Sequence, residues 1–290
     1  MFLLNLHECV FLSTKKSGQS TTQATHVTNR TNAIKKVIIT RPHAQATPFA
    51  QRVAACGRQA VIFPLLDIHP LDDTALLRAT LAGLEDYALV AFVSPNAIDA
   101  AFAHIAKWPA AVKISVMGEG SRMALAAHGL TDANATIYSP NNAERTDSET
   151  LLEALDLDAL RSSGRKILII RGDSGRELLA DRLREQGFEV TQVAAYSRSA
   201  PLWTPALRQQ LLALLDEKND WIVTSSEALR VLVKMVAQLD NPGSVAKMQQ
   251  QRLIVPHTRI AETAKKEGFL NVLLTGSGDE RLLAALQFTA

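Results

Sequence analysis

Six short polar segments stand out in this chain: Thr40-Arg41-Pro42, Ser94-Pro95-Asn96, Gly118-Glu119-Gly120-Ser121, Arg171-Gly172-Asp173-Ser174, Thr224-Ser225-Ser226-Glu227 and Pro256-His257-Thr258-Arg259. Each supplies hydroxyls, glycine or arginine where a helix would begin. The N–H groups of a first helical turn have no intrahelical acceptor, and the helix dipole is positive there. Several such loops around one cleft make a surface for carboxylates or phosphates. Arg41, Arg171 and Arg259 add charge suited to reading those oxygens. The same hydroxyls also suit plain capping. Ser94-Pro95 fits an N-cap followed by Pro at the first helical position, and Ser174/Glu177 and Thr224/Glu227 fit capping boxes. Capping is sufficient for any one hydroxyl; the anion-binding reading rests on the set.

None of these loops is a P-loop or a G-x-G-x-x-G, so nucleotide binding is weakly supported. There is no G-x-S-x-G nucleophile elbow, and no H-x-H or H-E-x-x-H spacing for a metal. Glu119 and Asp173 are single loop acids that read as caps. His257 stands beside a helix start, either as a ligand contact or as a cap. Tyr196 ends the run VTQVAAY and is one of three tyrosines, with Tyr87 and Tyr138. It reads either as a half-buried strand residue or as a functional phenol.

The elements that position these loops alternate strand and helix. Short Val- and Ile-rich runs read as buried parallel strands: 37–40, 60–63, 89–93, 113–117, 135–138, 167–170, 190–195, 221–224, 252–255 and 272–275. Amphipathic helices lie between most of them, and Gly57, Gly129, Gly187 and Gly268 suit positions just past helix ends. The pattern predicts an α/β fold of doubly wound parallel sheets, with ligands beyond the carboxyl ends of the strands. It also repeats. KVIITRP at 36–42 parallels KILIIRG at 166–172, which aligns Arg41 with Arg171 and Gly57 with Gly187. LVAFVSPNAIDAAF (89–102) parallels DWIVTSSEALRVLV (220–233), and KISVMGEGSRMALAAHGL (113–130) parallels RLIVPHTRIAETAKKEGF (252–269). The chain thus reads as two copies of a five-stranded unit of about 125 residues.

Composition agrees. A length of 290 residues suits two domains. Hydrophobic residues are 47% of the chain, enough for sizeable cores, and the net charge is +2. That balance offers no broad basic surface for nucleic acid. No run approaches the roughly 20 apolar residues of a membrane span. Cys9 and Cys56 are an isolated pair, read as reduced thiols of a cytoplasmic protein. Residues 1–33 lack a basic start and a small-residue cleavage site, and read as a disordered extension.

Taken in order, several strings resemble the uroporphyrinogen-III synthase family: VIITRP (37–42), FPLLDIHP (63–70), FVSPNAID (92–99), G-x-x-S (118–121), IIRGDSGRELLADRLREQGFEV (169–190), VAAYSR (193–198), VTSSEALR (223–230) and VPHTRIAETAKKEGF (255–269). The resemblance spans about Ile34 to Leu286. It implies two α/β domains joined by a two-stranded linker, with the ligand cleft between them. The expected boundaries are 34–66 plus 200–290 for one domain and 70–193 for the other, with linkers 67–69 and 194–199. The implied reaction cyclises the linear tetrapyrrole hydroxymethylbilane to uroporphyrinogen III, with loss of water and inversion of ring D. Its substrate is a small molecule with eight carboxylates, and no cofactor, metal, nucleic acid or membrane is implied. A monomer is expected. Tyr196 matches the family's strand tyrosine, which implies help in loss of the hydroxyl. The binding positions carried over are Arg41, Ser94, Asn96, Ala97, Gly118, Ser121, Arg171, Gly172, Thr224, Ser225, Ser226, His257 and Arg259. Ser121 stands where the family often has Thr, and Pro256-His257-Thr258 where many relatives have Gly-containing loops. The alternative is a non-catalytic two-lobed protein that binds or senses a tetrapyrrole or another anion.

Overall fold

Successive side chains of a strand face opposite sides of a sheet. In this chain both sides of most strands are apolar, so helices must cover both faces. The structure, a computed structural model, describes residues 35–141 and 147–287; the extension expected over 1–33 lies outside the described residues. In chain order the elements are β1 (Val37–Ile39), α1 (His43–Ala55), β2 (Ala60–Ile62), β3 (Asp67–Pro70), α2 (Ala75–Ala82), β4 (Leu89–Phe92), α3 (Pro95–Phe102), β5 (Lys113–Val116), α4 (Glu119–Ala127), β6 (Ile137–Tyr138), α5 (Ser148–Ala154) and α6 (Leu157–Ser163). There follow β7 (Lys166–Gly172), α7 (Leu178–Glu185), β8 (Glu189–Ser199), α8 (Pro205–Asp216), β9 (Asp220–Ile222), α9 (Ser226–Ala237), α10 (Ser244–Gln249), β10 (Arg252–Val255), α11 (Thr258–Lys266), β11 (Asn271–Leu274) and α12 (Asp279–Gln287).

The strands form two sheets, ordered β2-β1-β9-β10-β11 and β3-β8-β7-β4-β5-β6. All neighbours are parallel except β3 and β8. In the repeat, β7 and β8 are the counterparts of β1 and β2, and β9 to β11 are those of β4 to β6. Each sheet therefore takes its first two strands from one copy and its last three from the other. Both follow the doubly wound order 2-1-3-4-5, whose switch points lie between β1 and β9 and between β7 and β4.

Period-2 alternation sorts the core. In the first sheet Ile38, Trp221 and Leu253 face the layer of α8 to α11, while Val37, Ile39, Ile222 and Ile254 pack against residues of α1 and α12. In the second, Val90, Phe92, Leu168 and Ile170 face α2 to α4, and Leu89, Ala91, Ile167 and Ile169 face α5 to α7. Gly57, Gly129, Gly187 and Gly268 stand just past the ends of α1, α4, α7 and α11 with φ of 74°, 80°, 85° and 82°, the left-handed geometry that closes a helix.

Both capping-box expectations are corrected, and neither Glu119 nor Asp173 is a cap, since Gly118 and Glu177 hold the N-cap positions of α4 and α7. Glu177, not Ser174, is the N-cap of α7, and its carboxylate is turned to Arg171 and Gln192 instead of the backbone. Ser225, not Thr224, caps α9, accepting from the N–H groups of Glu227 and Ala228. A side-chain cap is favoured by extended backbone; Ser225 has it, at φ −145° and ψ 134°, whereas Glu177, at φ −89° and ψ −11°, does not. The Ser94 cap and the Pro95 start of α3 stand as expected, with the Ala97 N–H donating to Ser94 Oγ at 3.1 Å. Ser-Pro fixes this helix start locally, whereas a run of adjacent hydroxyls leaves the cap position to packing.

The run read as 190–195 continues to Ser199, and its last residues pair antiparallel with Asp67–Pro70, opposing Pro70 to Tyr196 and Asp67 to Ser199. Asp67–Pro70 carries an acid and a proline, signals that mask a strand in sequence and confine it to a sheet edge.

Candidate functional site

The six polar loops follow β1, β4, β5, β7, β9 and β10, all at carboxyl ends. Four of them flank the switch points: Thr40-Arg41 beside Thr224–Ser226 in the first sheet, and Arg171-Gly172 beside Ser94–Ala97 in the second. Gly118 and Ser121 sit one strand further out, with Gly118 as the N-cap of α4 and Ser121 buried in its first turn. His257 and Arg259 hold the corresponding place at the start of α11. A direct bond joins the first turns of α1 and α3, helices of the two sheets: Gln45 Nε2 donates to Asn96 Oδ1 at 3.1 Å.

Tyr196 links the second switch point to the strand pair, and a register slip aims it. β7 and β8 pair Arg171 with Ala194, then Gly172 with Tyr196, so Ala195 is an extra residue. The slip reverses the alternation of β8. Val193 and Ala195 already face the core under α3, and the extra residue turns Tyr196 to that side as well. The ring is 4% exposed, and its hydroxyl lies 3.1 Å from Ser94 Oγ. Ser94 is half-buried, so the phenol reaches the loop surface through that serine. Gly172 lies under the ring; a Cβ there would come within 3.0 Å of Tyr196 Cζ and 3.2 Å of its hydroxyl.

The arginines are divided in use. Arg41 pairs with Asp279 of α12 at 2.7 Å and lies over the Phe49 ring, its carbon 4.6 Å from the centroid. Arg171 donates to Glu177 at 2.6 Å and to the Gln192 amide oxygen, with its side chain 10% exposed. Hydrogen bonds from Gln192 and then from Arg171 hold the Glu177 carboxyl below the usual carboxylate range. These two guanidiniums are braced by protein acids. Arg259, in the first turn of α11, is exposed and has no ion-pair partner within 4 Å among the described residues. Partial desolvation, then the Arg176 and Arg230 cations, lower its proton affinity, while Glu149 and Asp147 act the other way. Thr224 and Ser225 are half-buried, and the buried Ser226 hydroxyl lies 3.4 Å from Thr263 of α11.

His257 is the N-cap residue of α11, and its Nδ1 is 3.4 Å from Ser277 Oγ. Burial lowers its pKa from the ordinary imidazole value, with Arg259 and Arg176 adding to the effect and Asp147 opposing it. The unfolded chain therefore binds the extra proton between the folded value and about 6.5. Stability is greatest above that window and is lost as pH falls through it. We expect the unaltered protein to lose more melting temperature than His257→Gln does between about pH 7 and about pH 5. Equal losses would assign the acid sensitivity to other groups.

Two residues of this region, Gln45 and Arg198, were not singled out in the sequence, and Glu177 was read only as part of a capping box. Arg198 had one usable signal, because it lies two positions past Tyr196 on the same strand and so shares its face. Among the described residues no group of three or more His, Cys, Asp or Glu could hold a metal ion, and no helix is long and apolar enough to cross a membrane.

Comparison with known proteins places this architecture. The family model described as uroporphyrinogen-III synthase HemD matches residues 47–275. The uroporphyrinogen-III synthase of Escherichia coli K12 is 29% identical over 256 residues, covering 87% of this chain and 99% of that protein. That of Salmonella typhimurium LT2 is 30% identical over 264 residues, with the same coverage of 87% and 99%. Among solved structures, a mutant uroporphyrinogen III synthase of Thermus thermophilus superposes with a TM-score of 0.56 at 14% identity, covering 87% of this chain and 97% of that one. Uroporphyrinogen-III synthetase from Helicobacter pylori 26695 gives 0.54 at 15% identity, covering 88% and 100%. The structural likenesses show the fold, and the matched span together with the relatives shows the lineage: this chain belongs to the uroporphyrinogen-III synthase family.

Proposed function

We propose that this chain is a uroporphyrinogen-III synthase, a lyase that closes hydroxymethylbilane to uroporphyrinogen III. The terminal hydroxyl takes a proton and leaves as water, the last pyrrole ring attacks the resulting electrophile and gives up a proton that restores the donor, and that ring is inverted in the product. The observation that carries this reading is the Tyr196–Ser94 hydroxyl pair at the β4/β7 switch point. A phenol carries an O–H that can donate. Because Tyr196 is buried, Ser94 is the hydroxyl that meets the leaving group, and Tyr196 replaces the proton that Ser94 gives up.

Carboxylates of the substrate are held by the loops at Thr224–Ser226, Ser94–Ala97 and Gly118–Ser121, with His257 and Arg259 at the start of α11. Arg41 and Arg171 hold the loop ends in place through their acid partners. Closure without ring inversion is chemically open to the same intermediate, so the cleft directs the outcome by positioning. Sheet membership supports reading 34–66 with 200–290 as one domain and 70–193 as the other, linked through 67–69 and 194–199.

The test supplies enzymatically generated hydroxymethylbilane and resolves the oxidised products by isomer. The type III isomer is expected. Type I alone, beside an active control synthase, would overturn the reading, and binding without turnover would favour the non-catalytic alternative.

A further inference from the structure

Arg198 is the residue of this region that the reaction scheme leaves unused. It lies in β8, opposite Ile68 of β3, in the antiparallel pair through which the chain passes between the sheets. One guanidinium nitrogen serves three acceptors. Nη2 lies 2.9 Å from the Ser174 carbonyl and 3.1 Å from Ser174 Oγ. The same nitrogen is 3.1 Å from Glu227 Oε2. Ser174 belongs to the loop after β7 of the second sheet, and Glu227 to the first turn of α9 on the first sheet. The side chain is 19% exposed, and Nε is buried with no hydrogen-bond partner. A donor left unmatched in the interior is costly and is kept where other contacts determine the geometry.

We propose that Arg198 is a positioning residue for ring closure, a clamp that registers the β7–α7 loop and the start of α9 against the strand carrying Tyr196. This role rests on the reaction proposed above. Strand alternation puts Arg198 on the same face as Tyr196, so the clamp fixes both walls relative to the Tyr196–Ser94 hydroxyls. Nη2 donates to the Ser174 carbonyl and hydroxyl while the guanidinium charge pairs with the Glu227 carboxylate, so one side chain holds both segments. The neutral Gln45–Asn96 bond, between the first turns of α1 and α3, is a second tie between the elements of the two sheets. Loosening the walls gives the intermediate room to close without inverting its last ring, so Arg198 acts on which isomer forms as well as on rate.

The test compares the unaltered protein with Arg198→Met, Arg198→Lys and Glu227→Gln. Distances between spin labels are measured on Lys107→Cys, an exposed site between α3 and β5, and Lys234→Cys, an exposed site on α9, with Cys9 and Cys56 changed to Ser. Arg198→Met is expected to broaden the distance distribution, to lower kcat/KM by about tenfold, and to raise the type I share several-fold. Arg198→Lys should recover part of each effect, and Glu227→Gln should reproduce them with Arg198 present. Should Arg198→Met fail to fold, Glu227→Gln carries the comparison. Distances unchanged in both would overturn the clamp. Changed distances with unchanged isomer ratio and kcat/KM would overturn the role in ring closure. Type I alone from the unaltered protein would overturn the reaction and this role together, while the distances would still read the clamp without turnover.

Discussion

Tyr196→Phe is expected to lower turnover by more than about tenfold while the protein stays folded, because a positioned proton donor contributes roughly 10²–10⁴ in rate. The substitution removes one oxygen and keeps the ring in the buried cluster it shares with Val193, Ala195 and Ile170. Its partner Ser94 is half-buried and keeps the Ala97 N–H, so water can take the lost place. The stability cost should be about 1 kcal/mol, that of one hydrogen bond. Ser94→Ala should lose turnover to a comparable degree and also the cap of α3, about 1 kcal/mol more in stability. If the two hydroxyls act as one relay, the double variant should be little slower than either single one. Turnover unchanged in Tyr196→Phe would reduce the residue to packing, and additive losses would separate the two hydroxyls.

Gly172→Ala is expected to impair activity about as severely, through geometry alone. The added methyl would stand 3.0 Å from Tyr196 Cζ, 3.2 Å from Cε2 and 3.2 Å from the hydroxyl. Such distances are tighter than carbon ordinarily keeps, so the ring must give way slightly. It cannot move freely, because it is 4% exposed in a packed core. The easiest displacement carries the hydroxyl away from Ser94. Overpacking of this kind costs about 1–3 kcal/mol, so a melting-temperature drop of several degrees should accompany the lost turnover. Gly57→Ala is the control: a Cβ there meets nothing within 4 Å, and its cost is confined to the left-handed φ of 74°. If Gly172→Ala turns over normally, the close approach of backbone to ring is incidental to the chemistry.

Much of this region was legible before any fold was known. Ser94-Pro95 announced a capped helix start, and the four glycines announced helix ends, because each rests on local backbone geometry. The alternation of apolar runs and amphipathic stretches announced parallel sheets covered on both faces. The arginines were legible only as charges. Nothing near Arg41 or Arg171 in sequence says that Asp279 lies 238 positions on and still pairs with Arg41, or that Gln192 and Glu177 enclose Arg171. The acids read as caps on loop position alone, and the capping box at Thr224 failed because three adjacent hydroxyls compete for one cap.

By itself the sequence determined the repeat, the α/β class and the loops at the strand ends, since all of these follow from spacings of a few residues. Tertiary structure alone decided the rest. It inserted Ala195 as an unpaired residue that turns Tyr196 toward Ser94, and it brought Arg198 to Ser174 and Glu227. Those choices depend on which surfaces meet across long stretches of chain, where packing and hydrogen-bond partners, not local propensity, set the lowest free energy.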